Sequence, residues 1–328
     1  MQNLHILMDL GRVGYLKDLR KLMQTLIYKI KNKLFGLSRE ASKLTRPSYE
    51  ELIKYKSFRR GMDNKFILSC GAGRSGQNWF AKIFNSHSNW VGTAERFADF
   101  EAFFRYISYY KLPIDKEGVF KLFELACNRD FAKYQNTLIS SPYFSFGVEE
   151  LFKRLNPNYL FFHIRNPINS VESFHKKNWY LNPYNFKKSS PLIDISDSLY
   201  RSFSRIVPKN EFLNEWLELT RIGKLTWFWA TANKAIFDDF KKIQSVDKFF
   251  IKLEDVDQNY NIYQQLSIRF NFENRMSKKE FYNVINKAPN TGPKDKYKYK
   301  DWNNLEKKEF ENIVDRIFPH YHDIKTNI

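Results

Sequence analysis

At 328 residues the chain can bury one large core, or one core plus an appendage. A formal net charge of +18 calls for anionic partners, but the basic residues are spread along the chain, which argues against a nucleic-acid-binding protein built on a basic arm. Cys70 and Cys127 alone make neither a disulfide framework nor a zinc site, no stretch reaches the ~18 uncharged apolar residues of a membrane span, and Asp9, Arg12 and Lys17 break up any secretory leader, so a reducing, cytoplasmic setting is expected.

Residues 1–60 read as a basic helical extension. Over 16–36, apolar and basic residues alternate at helical spacing up to Gly36, a helix stop. Two readings stay open: the helix packs on protein, or it lies on an anionic membrane surface as a peripheral contact.

Residues 61–328 read as an α/β domain. Phe66–Leu68 is a short apolar strand that stops at a glycine-studded turn, and Trp79, Phe80, Ile83 and Phe84 then follow at helical spacing. Further strands are expected at Trp90–Thr93, Thr137–Ser140 and Tyr159–Ile164, with aromatic helices over about 97–134 and a helix ending at Leu155. Residues 178–210 read as an insertion or lid, 211–244 as helical, 287–301 as a loop over the site, and 305–317 as a closing helix. Strands alternating with helices predict a central parallel sheet with helices on both faces.

The turn after the first strand is the most informative stretch. Gly71, Gly73 and Gly76 form G-x-G-x-x-G, and Glu95 lies about 20 residues on, as in a dinucleotide fold. Arg74 and Ser75 fit that turn poorly, and Gln77 stands where a P-loop has lysine. In any reading, glycines that let the backbone approach a ligand, a helix N-terminus and Arg74 together make an anion cradle. A second motif, Arg165-Asn166-Pro167, follows the Tyr159–Ile164 strand, with Ser173 in the next helix. A guanidinium fork and a hydroxyl placed this way can share one phosphate.

Arg74-Ser75-Gly76-Gln77-Asn78-Trp79 and Arg165-Asn166-Pro167 with Ser173, in this order and each at a strand end, resemble the sulfotransferases that use 3′-phosphoadenosine 5′-phosphosulfate (PAPS). Weaker echoes are Ser141-Pro142-Tyr143, Phe249 to Val256, and Lys298 to Trp302, so the resemblance spans about 65–322. It implies a P-loop-like three-layer fold and transfer of a sulfuryl group from PAPS to an acceptor hydroxyl, on a carbohydrate or glycolipid, without a metal. Gly73, Arg74, Ser75, Gly76, Gln77, Asn78 and Trp79 are then expected around the 5′-phosphosulfate, and Arg165 and Ser173 on the 3′-phosphate. Arg74 would meet the charge building on the leaving group, and Glu95 would accept the acceptor's proton, with Asp99, Glu101 and His175 in reserve. Two departures stand out: Gln77-Asn78 replace the family's threonines, and Ser140 stands where many members carry lysine. A dinucleotide-dependent oxidoreductase and a basic nucleic-acid-binding protein remain the alternatives.

Overall fold

A computed structural model describes residues 47–180, 205–209, 212–286 and 297–328. The chain divides at Thr45/Arg46 into two units, and every described residue belongs to the second. The helix expected over 16–36, most of the insertion expected over 178–210, and residues 287–296 lie outside the described residues.

Five strands form one all-parallel sheet: β1 (Phe66–Gly71), β2 (Trp90–Ala94), β3 (Asn136–Ser141), β4 (Tyr159–Ile164) and β5 (Asp247–Lys252), in the spatial order β2-β3-β1-β4-β5. β1, β3 and nearly all of β4 are buried along their whole length, as expected of strands covered on both faces. Around them in chain order stand α1 (Tyr49–Ile53), α2 (Gln77–Asn85), α3 (Ala98–Tyr110), α4 (Glu117–Tyr134), α5 (Val148–Leu155), α6 (Pro167–Lys176), α7 (Phe212–Glu218), α8 (Arg221–Lys242), α9 (Leu253–Val256), α10 (Tyr260–Arg269), α11 (Lys278–Asn286) and α12 (Asn304–Ile317).

The period-2 alternation of the strands splits the core into two layers. Leu68, Ile139, Leu160 and Phe162 face a large layer made with α4, α5, α6, α8 and α12. Ile67, Leu138, Phe161 and Ile251 face a smaller one made with α2, α10 and α11. Leu52 of α1 is fully buried in the large layer, so the α/β body takes in residues ahead of 61. The smaller layer is mostly aromatic: Phe84 meets Trp90 edge-on at 4.7 Å and Phe272 at 4.9 Å. Such pairs add ~0.5–1.5 kcal/mol each beyond the area they bury.

Local chemistry sets the helix ends that matter for the site. Asn166 caps α6 by accepting from Asn169 N–H, with Pro167 in the first position, where its missing N–H costs nothing. Thr220 caps α8, and Asn303 with Glu306 forms a capping box on α12.

Gly92 fixes how closely α2 lies on the sheet. A Cβ there would stand 2.6 Å from the Ala81 carbonyl oxygen and 2.9 Å from its Cα, both backbone atoms that cannot step aside. Asn85 holds the same contact, donating to Gly92 O at 2.6 Å and accepting from Gly92 N–H at 2.9 Å. Gly92→Ala is therefore expected to destabilise the fold by roughly 1–3 kcal/mol through overpacking. Thermal unfolding should show a Tm lower by about 2–4 °C for each kcal/mol.

Candidate functional site

Strand order decides where a ligand can sit. The connection leaving β1 runs past β3 to β2, whereas the one leaving β4 runs outward to β5. The directions diverge between β1 and β4, and open α/β sheets bind ligands in the crevice beyond the carboxyl ends of such a pair. Both sequence motifs lie there: Gly71 pairs with His163, so the turn after β1 and Arg165 after β4 emerge side by side.

The turn has the backbone of an anion cradle. Gly73 (φ +96°) and Gly76 (φ +100°) adopt left-handed conformations, and Arg74 between them does so as well (φ +58°). Strain at a non-glycine residue is held in place only where the surroundings over-determine it. Gly76 is the N-cap of α2 and no side chain caps this helix, so Gln77, Asn78 and Trp79 present the orphan N–H groups of its first turn. These donors, with the positive end of the helix dipole, face the space above the crevice.

Side chains complete it. Arg74 Nε donates to Ser173 Oγ at 2.8 Å, and Arg165 Nη1 donates to the Arg74 carbonyl oxygen at 3.3 Å. Two motifs about 90 residues apart in sequence thus meet at one point. Burial lowers the pKa of the Arg74 guanidinium, and the nearby Arg165 charge lowers it further, while Glu95 opposes both. Burial lowers Arg165 in the same way. The carboxylate nearest Arg165 is Glu254, 3.9 Å away on α9, and it also accepts from Asn166 N–H at 3.0 Å. No carboxylate of the described residues is within ion-pair distance of Arg74. Two guanidinium groups pressed together in a partly dry site favour an anion between or above them.

The other expected residues fall into place unevenly. Ser75 is buried and its Oγ accepts from Gln77 Nε2 at 3.0 Å, so the Gln77 amide turns inward and braces the turn. Asn78 is exposed. The Trp79 ring packs against Phe80 and Phe281, away from the cradle, which leaves its backbone N–H as the group it offers. Glu95 follows β2 with φ +53°, and its N–H donates to Ser140 O at 3.0 Å. Arg96 turns away to Asp130, 2.6 Å distant in the core. Glu101 is fully buried, bonded to Phe97 N–H and to the Ser141 hydroxyl, and so is out of reach of a substrate proton. His163 is buried against Phe80, centroids 4.2 Å apart, and burial drives its pKa down to about 3. His175 stacks on Tyr297 at 4.8 Å.

Sequence reading gives Glu172 no part and meets Glu254 only within the Phe249 to Val256 echo, without a role. Glu172, beside Ser173, accepts from Lys298 Nζ at 2.7 Å and from Tyr299 N–H at 2.9 Å, which ties the C-terminal segment to the helix bearing Ser173. Its signal was available: one helix position before a candidate ligand, facing a Lys/Tyr-rich segment. Glu254 becomes visible only once β5 is known to lie beside β4. A Trp179 ring, stacked on Phe174 at 4.4 Å and covered by the Arg205 guanidinium at 3.8 Å, walls the other side of the turn, beside Gly73.

Two surface clefts lie elsewhere, one beside Ser86, Arg275 and Glu280, the other at the amino-terminal edge of the sheet beside Asn158 and Asp247. Neither gathers converging cations. Among the described residues no group of three or more His, Cys, Asp or Glu side chains is placed to hold a metal ion, and no helix is long and apolar enough to cross a membrane.

No family model and no curated protein matches the sequence. Among solved structures, the sulfotransferase domain from the curacin biosynthetic pathway is similar at 13% identity and a TM-score of 0.36, over 64% of this chain and 75% of that one. A likeness this low carries no argument. The fold class rests on the sheet itself: five parallel strands with helices on both faces.

Proposed function

We propose that the protein is a PAPS-dependent sulfotransferase. The observation that carries this reading is the meeting of Arg74, Arg165 and Ser173 at the β1/β4 crevice. Each motif alone is a common feature of strand ends. A shared nucleotide with two anionic groups, one phosphate at the turn and the other between Arg165 and Ser173, gives them one purpose.

In this reading the acceptor hydroxyl attacks sulfur and its proton passes to Glu95. The new S–O bond forms as the bond from sulfur to the bridging oxygen breaks, and that electron pair leaves with adenosine 3′,5′-bisphosphate. A loose, in-line transition state of this kind needs position and charge stabilisation more than covalent help. Arg74 and the orphan N–H groups of Gln77 to Trp79 stand where the leaving charge grows. Glu95 enters at the tip of β2, held in a strained conformation, and a carboxylate within hydrogen-bond reach can serve as general base.

Sheet order weighs against the oxidoreductase alternative. In a dinucleotide fold the acidic residue that binds the ribose ends the strand next to β1. Here β3 lies between, which puts the tip of β2 two strand spacings from β1, about 10 Å.

The acceptor is read as a hydroxyl on a carbohydrate or glycolipid. Trp179 has both ring faces taken, so sugar stacking would fall to Phe100, 53% exposed at the start of α3. The two buried free cysteines support a reducing, cytoplasmic compartment.

Incubation with PAPS and a panel of hydroxyl acceptors should release adenosine 3′,5′-bisphosphate, and this product should stabilise the protein where NAD does not. At a hundredfold excess over Kd the gain is about 2.7 kcal/mol. Stabilisation by NAD alone, or no bisphosphate release with any acceptor, would overturn the reading.

A further inference from the structure

The bend that carries Glu95 is held by a second, buried carboxyl group. Glu95 N–H donates to Ser140 O at 3.0 Å, which fixes the bend to the end of β3. The Glu101 carboxylate grips the same junction from beneath. One oxygen accepts from Phe97 N–H at 2.8 Å, two residues past Glu95, and the other accepts from Ser141 Oγ at 2.5 Å, one residue past Ser140. Ser141 Oγ in turn accepts from Tyr143 N–H at 3.0 Å. Both chain segments that leave the sheet beside the site are therefore tied to one side chain, and that side chain is fully buried.

A helix acid in the first turn ordinarily faces water and assists the dipole. Burying a carboxyl group instead is costly, and such a group is retained where it over-determines a conformation the rest of the chain would relax. The positive φ of Glu95 (+53°) is that conformation.

Resting on the reading of Glu95 as general base, we infer that Glu101 is a positioning residue: it clamps the β2–α3 bend to the end of β3 so that the Glu95 carboxylate stays at the mouth beside Arg74. The charged and titratable groups facing it are Glu95 and Arg96 from the bend and Tyr143 from the turn after β3, with Arg96 itself held by Asp130. Burial, with Glu95 adding to it, raises the Glu101 pKa to about 7, so its ionisation falls inside the working pH range. As Glu101 ionises it adds negative charge beneath Glu95, and turnover should carry that second titration.

Two variants test this. Glu101→Gln keeps an acceptor for Phe97 N–H and a partner for Ser141 Oγ but cannot ionise. Its kcat should stay within about threefold of wild type, and the inflection near pH 7 in the rate profile should vanish. Glu101→Ala frees the bend, and kcat should fall about 10- to 100-fold, as for misplacement of a reacting group. KM for PAPS and Kd for adenosine 3′,5′-bisphosphate should change less than twofold in both. The proposal is overturned if both variants match wild type in kcat and pH profile, or if both lose bisphosphate affinity. Glu95→Gln separates the underlying reading: if that variant keeps wild-type kcat, Glu95 is not the base and both ideas fall. If Glu95→Gln is inactive while Glu101→Ala and Glu101→Gln are unaffected, the clamp alone is wrong.

Discussion

Replacing Arg165 with alanine is expected to weaken binding of adenosine 3′,5′-bisphosphate by roughly 30- to 1,000-fold, the equivalent of about 2–4 kcal/mol for truncating one partner of a partly buried, charge-assisted contact. The fold should survive, because the guanidinium is 28% exposed and its protein contacts are the long 3.9 Å approach to Glu254 and the bond to Arg74 O. Ser173→Ala removes a single neutral donor and should cost only about 0.5–1.5 kcal/mol. Arg165→Lys should recover part of the loss, since lysine restores the charge without the planar fork that meets two phosphate oxygens. Isothermal titration with the bisphosphate, and with adenosine 5′-monophosphate as a control lacking the 3′-phosphate, reads each effect. The monophosphate should bind wild type and Arg165→Ala alike. An unchanged bisphosphate affinity in Arg165→Ala would detach the second motif from the ligand.

Much of this geometry was legible from the chain because it depends on local chemistry. A buried strand, a turn rich in glycine and an apolar helical period place Arg74 at a strand end, and Asn166-Pro167 does the same for Arg165. Sheet order was not legible. No residue pattern says that β3 rather than β2 lies beside β1. It also weighs on the proposed nucleotide, since it sets Glu95 two strand spacings from β1 instead of on the neighbouring strand. Helix α10 is hard to read for a local reason: Tyr263, Leu266 and Phe270 recur at helical spacing, but Gln264, Gln265, Ser267 and Arg269 between them hide the stripe. Glu101 illustrates the limit most clearly. In the sequence it is an ordinary first-turn acid four residues after Phe97, and only the arrival of β3 over it turns it into a buried clamp.

The same burial sets an unusual pH response of stability, expected to become visible in His163→Met. Both His163 and Glu101 are fully buried, and each is held neutral over a range where the unfolded chain would be charged. His163 has its pKa lowered from 6.5 to about 3 by burial, so the unfolded state binds the extra proton between those values. Its contribution is therefore present above pH 6.5 and lost as pH falls toward 3, about 1.4 kcal/mol per pH unit. Glu101 has its pKa raised from 4.5 to about 7, so the native state binds the extra proton, and its contribution is present below pH 4.5 and lost as pH rises through 7, with the same slope. Between pH 4.5 and 6.5 the two slopes oppose each other and the pair contributes a nearly flat profile. Methionine is close to histidine in volume and suits the edges of Phe80 and Phe161. It deletes the first slope and leaves the second. Relative to wild type, the variant should gain about 2 kcal/mol on going from pH 6.5 to pH 5. Adding Glu101→Gln should then remove the gain of stability in acid that the single variant shows. Urea unfolding at a series of pH values measures both, and taking differences between variants cancels the surface carboxylates common to them. A wild-type and His163→Met pair with parallel profiles would mean that His163 takes up a proton in the folded protein, and hence that water or an anion reaches the floor of the crevice beneath Gly71.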